Sequence, residues 1–228
     1  MEDLFDTSRD HDGPVYRNIA SLRETIDLYD ELTEGDPALN QVATAAEMRV
    51  KQDIPPGIIS RGFHYTTAIT YPFEHEPYLS SRYGDGSYGV WYGSMETETT
   101  MAETAHHMIQ DENKIEGVSE IIIRERAVYT LHCHAVLIDL SAKRTSYPGL
   151  VAEDYDFTQP IGRRLQHEGQ PGLLAPSARR EERINTVIFN PDVLSNPQLI
   201  FYLTYRFDPR SQTVAIEREA GKVLMTYP

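Results

Sequence analysis

The chain has 228 residues and a formal net charge of −14, a length that suits one compact unit with a sizeable core. So acidic a balance argues against direct nucleic-acid binding, because phosphate backbones are held by clustered Lys and Arg that displace counterions. The single cysteine, Cys133, excludes an intramolecular disulfide and a thiolate metal cluster and suits a reducing cytoplasm. Apolar runs fall short of the roughly 20 residues that span a bilayer, and the acidic start Met1-Glu2-Asp3-Leu4-Phe5-Asp6 is unlike a basic secretory signal, so no membrane is expected.

Residues 1 to 16 are polar and read as loosely held. Ser21-Leu22-Arg23-Glu24 offers a capping box for a helix with Leu22, Ile26, Tyr29 and Leu32 inward, stopped at Gly35. Asp36-Pro37 suits the N-cap and first position of a second helix reaching Lys51, and Pro55-Pro56-Gly57 ends it. An N-terminal helical extension over residues 1–56 and a second unit over 57–228 follow from this punctuation. The extension holds 13 Asp or Glu against 5 Lys or Arg, so much of the excess acid lies outside the second unit. Packing on its own domain is the plain role for such an arm; a lid, an oligomer contact or a partner surface are the functional ones.

From Ile58 the texture changes to short strands and turns: Ile58 to Tyr65, with Arg61 at its start, then Tyr88 to Gly93. A helix is predicted from Thr97 to Asp111, with Met101, Ala105, Met108 and Ile109 as its apolar stripe, which leaves Glu103 off the core face. Strands are predicted at Glu120–Ile123, Ala135–Leu140, Thr186–Phe189, Leu199–Leu203 and Thr213–Glu217, with a turn at Asp208-Pro209-Arg210-Ser211. Gly84-Asp85-Gly86-Ser87-Tyr88-Gly89 fits the dinucleotide-binding glycine pattern, but a strand-like stretch follows it where a Rossmann unit needs a helix, so hydride-transfer chemistry is rejected.

The stretch Ser81 to Ser94, with Arg61 before it and Ala102-Glu103 after it, has the residue types of a nucleotide pocket. A planar guanidinium grips a diphosphate, tyrosines offer flat faces to a heteroaromatic ring, and a carboxylate steadies a developing positive charge. Together with Asp156 to Gly162, Ala175-Pro176-Ser177-Ala178 and Phe189-Asn190-Pro191, the order and spacing of these blocks resemble the RES domain, the NAD-consuming toxin family of bacterial toxin–antitoxin pairs. The resemblance implies an α+β, ADP-ribosyltransferase-like fold: a split, largely antiparallel β core with flanking helices and an NAD cleft. It implies an enzyme that takes NAD as substrate, needs no cofactor or metal, and breaks the nicotinamide–ribose bond with water, inorganic phosphate or a protein side chain as acceptor. Arg61 then holds the diphosphate with Arg82 as a second cation, Tyr71 and Tyr92 flank the nicotinamide nucleoside, Glu103 stabilises the cationic ribose, and Ser177 hydrogen-bonds a phosphate. A cognate antitoxin with a DNA-binding Xre-like domain is the implied partner, and growth arrest the implied outcome when it is absent.

Taken singly, these residues have ordinary readings. A strand-start Arg is usually a surface charge, a helical Glu off the core face is usually solvated, strand tyrosines are usually half-buried packing, and Ser177 suits a cap on the segment after it. A protein mono-ADP-ribosyltransferase and an inactive nucleotide- or partner-binding module remain the alternatives to the toxin. Glu103-Thr104-Ala105-His106 has a di-iron helix spacing and His132-Cys133-His134 a metal-like one, but neither has the companion ligands such sites need. Arg179, Arg180 and Arg183 form the one dense basic cluster, either a solvated face or an anion-attracting rim near Ser177.

Overall fold

A computed structural model describes residues 2–21, 66–74, 76–115, 117 and 119–228. The helices expected as far as Lys51, the Pro55-Pro56-Gly57 punctuation, and the stretch from Ile58 to Tyr65 that includes Arg61 lie outside the described residues. The described part is α+β, a mixed eight-stranded sheet with helices on its flanks.

Residues 1 to 16 are not loosely held. Ser8–Ala20 is a 13-residue strand, β1, paired antiparallel along its length with β5, Ile122–Asp139. Val15 is fully buried and Ile19, four residues on and hence on the same face, packs against the same core. The charged run Arg9-Asp10-His11-Asp12 conceals that period, because ladder hydrogen bonds to β5 hold the backbone whatever the side chains.

The sheet further contains β4 (Trp91–Ser94), β6 (Gly172–Pro176), β7 (Ile184–Ile188), β8 (Leu194–Asp208), β9 (Thr213–Glu219) and β10 (Lys222–Tyr227), in the order β1-β4-β7-β6-β5-β8-β9-β10. Because β1 also pairs with β5, strands β1, β4, β7, β6 and β5 close a circuit, and β8–β9–β10 extend from it as a wing. A short hairpin, β2 (Ser80–Ser81) with β3 (Gly84–Asp85), stands beside the sheet. The strands expected at Glu120–Ile123 and Ala135–Leu140 are the two ends of the single 18-residue β5. Strand β6, buried at every position, lacks the polar–apolar alternation that would have announced it.

Side-chain alternation divides the interior into three cores. Val15, Trp91, Leu131, Leu174 and Ile188, drawn from all five strands of the circuit, pack together with Cys133, whose thiol burial pushes up to about 11. Their sequence neighbours Leu173, Ala175 and Val187 face the other way, onto α3 (Thr158–His167; α1 and α2 are given below) through Ile161 and Leu165. The third core lies on the wing. There Met101, Ala105 and Met108 of α2 (Thr97–Glu112) meet Leu203, Tyr205, Phe207, Val214 and Ile216, which matches the stripe expected from the sequence. The remaining helix, α1, is the short Tyr71–Glu74.

Helix α3 is seated by a backbone approach and an ion pair. A Cβ on Gly162 would lie 1.9 Å from the Tyr83 carbonyl oxygen, so only glycine fits there. Arg163 donates to Asp85 Oδ2 from Nε at 2.6 Å and Nη2 at 2.5 Å, while the Ser87 hydroxyl and N–H donate to Oδ1 at 2.6 and 3.0 Å. The two Ser87 hydrogen bonds, with help from Arg163, hold the Asp85 carboxyl at about 2.

Two outcomes follow. Gly162→Ala should lower unfolding free energy by about 1–3 kcal/mol through overpacking, read by urea denaturation. Since the folded-state value of Asp85 is depressed, its contribution is complete above about pH 4 and lost as pH falls through about 2. Asp85→Asn should therefore be less stable than wild type near neutrality, with the difference shrinking as the medium is taken below about pH 4; a difference independent of pH contradicts the assignment.

Candidate active site

Glu103 sits on α2 on the side away from its buried stripe, and two donors from the circuit converge on one of its oxygens. Ser177 Oγ, just beyond β6, donates to Oε1 at 2.6 Å, and Asn185 Nδ2 of β7 donates to the same atom at 2.7 Å. Ser94 Oγ of β4, opposite Asn185 in the ladder, donates to Asn185 Oδ1 at 2.7 Å and so fixes which end of the amide faces the carboxylate. Oε2 of Glu103 receives no hydrogen bond among the described residues, so within them one carboxylate oxygen is anchored and the other is not.

Ser177 is fully buried and fully engaged. Its hydroxyl accepts from the N–H groups of Arg179 (3.2 Å) and Arg180 (3.1 Å), its N–H donates to the Arg183 carbonyl at 2.8 Å, and its carbonyl accepts from Arg144 Nη1 at 3.0 Å. The turn after β6 is thus wound around the serine, which holds Glu103 at its other end.

Tyr92 of β4 points its hydroxyl into the hairpin next door. It accepts from the Tyr83 N–H at 2.8 Å and shares a 2.8 Å hydrogen bond with Ser81 Oγ, and burial pushes its phenol upward. Arg82 between them donates from Nη1 to the Ala152 carbonyl at 2.7 Å and lies over the Tyr155 ring at 5.1 Å, which ties the hairpin to the loop before α3. Tyr71 stands 58% exposed at the start of α1. The structure therefore brings Glu103 and Ser177 into contact, joins Tyr92 of β4 to the hairpin that carries Arg82, and leaves the Tyr71 side chain exposed on α1.

Charges surround the carboxylate. Arg179 makes a bidentate pair with Glu153, Nη1 to Oε1 at 2.6 Å and Nη2 to Oε2 at 3.1 Å. His106, one turn along α2 from Glu103, has Nε2 3.9 Å from Glu153 and Nδ1 3.5 Å from the Tyr227 hydroxyl at the end of β10. Burial, and then the neighbouring Arg179, push the His106 imidazole down; the hydrogen bond from Arg179 draws the Glu153 carboxyl down. Arg180, beside Ser177, has a buried Nη1 with no hydrogen-bond partner among the described residues. Arg183 is paired with Glu96 at 2.6 Å. Among the described residues no group of three or more His, Cys, Asp or Glu is placed to hold a metal ion.

Sequence comparison covers the segments that carry Glu103, Ser177 and Asn185. The sequence model of the RES domain matches residues 55–208. The chain belongs to the RES domain family. Among solved structures, a chain in the crystal structure of the M. tuberculosis MbcT–MbcA toxin–antitoxin complex matches with a TM-score of 0.47 and 12% sequence identity, over 90% of this chain and 89% of that one. No match is found among curated proteins. The RES match stops at Asp208, whereas β9 and β10 follow in the same sheet and bring Tyr227 to His106.

Sequence reasoning missed Asn185, Glu153, His106 and Tyr227 as neighbours of Glu103. For Asn185 a signal existed: Ile184-Asn185-Thr186-Val187-Ile188 is a strand run with a polar residue among apolar ones, and an amide kept there needs partners. Glu153 and Tyr227 reach the site through loop and sheet connections that no local pattern encodes. Because Tyr83 is 1% exposed, Tyr92→Phe strands its N–H and should cost about 1–3 kcal/mol of stability. Urea denaturation checks this, and a loss within error would mean that water replaces the phenol there.

Proposed function

We propose that this RES domain protein cleaves the bond between nicotinamide and ribose in NAD, that it acts as a toxin by depleting NAD, and that a cognate antitoxin restrains it. The single observation that supports this best is the half-anchored carboxylate of Glu103, with Oε1 taken by Ser177 and Asn185 and Oε2 without a hydrogen bond among the described residues. As C1′ parts from the pyridinium nitrogen, the bonding electron pair moves onto that nitrogen and neutralises it. Positive charge builds on the ribose, and a fixed carboxylate beside it lowers the barrier because no reorganisation is needed at that moment. The anchoring matters in a second way: a carboxylate that had to rotate into place would lose part of that benefit.

The other residues take supporting roles. Arg82, with Arg61, supplies charge for the diphosphate. Tyr92 holds the hairpin that carries Arg82, through Tyr83 and Ser81. Ser177 positions Glu103 through its hydroxyl, and its backbone turn presents Arg179 and Arg180 at the same place. The ribosyl cation is then captured by water, with loss of a proton, or by inorganic phosphate.

Purified protein freed of any partner should release nicotinamide from NAD. Glu103→Gln, which keeps size and shape, should reduce kcat by on the order of 100-fold or more with little change in thermal stability. Nicotinamide release by chromatography, with and without phosphate and with candidate acceptor proteins, measures this and identifies the acceptor. Wild-type turnover in the Gln variant sinks the role given to Glu103, and absence of nicotinamide release from wild type sinks the NAD reading.

A further inference from the structure

The ion pair of Arg179 with Glu153 is built the opposite way from three other pairs of the fold. In Arg9–Asp139, Arg124–Glu112 and Arg163–Asp85 the acid is buried, 7% to 13% exposed, and the arginine reaches in from solvent, 42% to 66% exposed. In Arg179–Glu153 the guanidinium is 10% exposed and the carboxylate 70%. The first three pairs neutralise an acid that the fold has enclosed. The fourth leaves a nearly enclosed cation covered by an acid that stands in solvent.

The cation is also the better fixed partner. The Arg179 N–H donates to Ser177 Oγ at 3.2 Å, and that hydroxyl donates to Glu103 Oε1 at 2.6 Å, so the residue that bears the fork is tied through one hydroxyl to the Glu103 carboxylate. Glu153 by contrast lies in the connection between the 3-10 turn Pro148–Val151 and α3. Its carboxylate meets the Arg179 fork and has His106 Nε2 at 3.9 Å, and Arg82 grips the carbonyl of the residue before it, Ala152, at 2.7 Å. The Arg179 fork, with the Arg82 charge near by and the His106 imidazole at 3.9 Å, thus faces one exposed carboxylate. A guanidinium fork accepts two carboxylate oxygens or two phosphate oxygens with equal geometric ease. Because the Glu153 half stands in solvent and remains well hydrated when released, a ligand bearing more negative charge can displace it.

We propose that the Arg179 fork is an anion subsite of the cleft, which Glu153 fills in the ligand-free chain as an internal stand-in and yields to phosphate oxygens when substrate enters. That the phosphate belongs to the diphosphate of NAD rests on the function proposed above; the fork's affinity for a phosphate anion does not. Glu153 is then a competitor of the substrate, and its removal should improve binding where loss of a structural pair or a substrate contact would not.

Calorimetric titration with inorganic pyrophosphate tests the subsite on wild type, Glu153→Gln, Arg179→Gln and the double variant, with thermal unfolding of each as a check on folding. Glu153→Gln should bind pyrophosphate about fivefold more tightly than wild type, the range expected when an exposed pair stops competing. Arg179→Gln should bind it poorly, and adding Glu153→Gln to that variant should restore nothing. In nicotinamide release, Glu153→Gln should lower KM for NAD by a similar factor and leave kcat nearly unchanged. Equal or weaker pyrophosphate binding by Glu153→Gln, absence of binding in both, or wild-type binding by a folded Arg179→Gln overturns the proposal. Should wild type bind pyrophosphate in this way yet release no nicotinamide, the subsite stands and the NAD reading alone falls.

Discussion

The convergence of Ser177 and Asn185 on Oε1 of Glu103 is the contact on which the site depends. It joins a helix on the wing of the sheet to a turn beyond β6 and to β7, which lie 74 and 82 positions further along the sequence. Charge-assisted hydrogen bonds of this kind are among the stronger ones a fold makes, and they tighten as water is excluded. Each donor is itself held: Asn185 by Ser94 across the ladder, Ser177 by the N–H groups of Arg179 and Arg180. The carboxylate is therefore oriented by the backbone of the sheet at one remove.

That dependence explains why the strands form a closed circuit with a wing. The circuit fixes β4, β6 and β7 next to one another and so places Ser94, Asn185 and Ser177 on the side shared with the second core. The wing gives α2 its apolar bed, which rotates the helix until Met101, Ala105 and Met108 are buried and Glu103 faces the circuit. β5 joins the two, pairing with β1 of the circuit along 13 residues and with β8 of the wing. Burial of the stripe, worth roughly 1.5–3 kcal/mol per large side chain, thus also orients the carboxylate.

Much of this was legible in the sequence. Helix periodicity alone put Glu103 off the apolar stripe, and the motif blocks named Ser177 and Tyr92. What they do to each other was not legible. Ser177 was expected to contact a phosphate, and its hydroxyl is found on Glu103; this is a contact across 74 positions, which no local pattern encodes. β1 was missed because Arg9-Asp10-His11-Asp12 resembles a solvated tail, while its stability comes from the ladder to β5. β6 was missed because burial on both faces erases alternation. The basic cluster divides once folded: Arg183 serves Glu96, Arg179 holds an exposed acid, and Arg180 keeps a buried nitrogen without a hydrogen-bond partner among the described residues.

The most direct test of the central claim is a double-mutant cycle on kcat for nicotinamide release, using Ser177→Ala, Asn185→Ala and the pair. If both residues act through one carboxylate oxygen, each single variant lowers kcat with KM nearly unchanged, and the pair loses clearly less than the product of the two single losses. Fully multiplicative losses, or effects confined to KM, would show that Ser177 and Asn185 act independently on the ligand and would contradict the account.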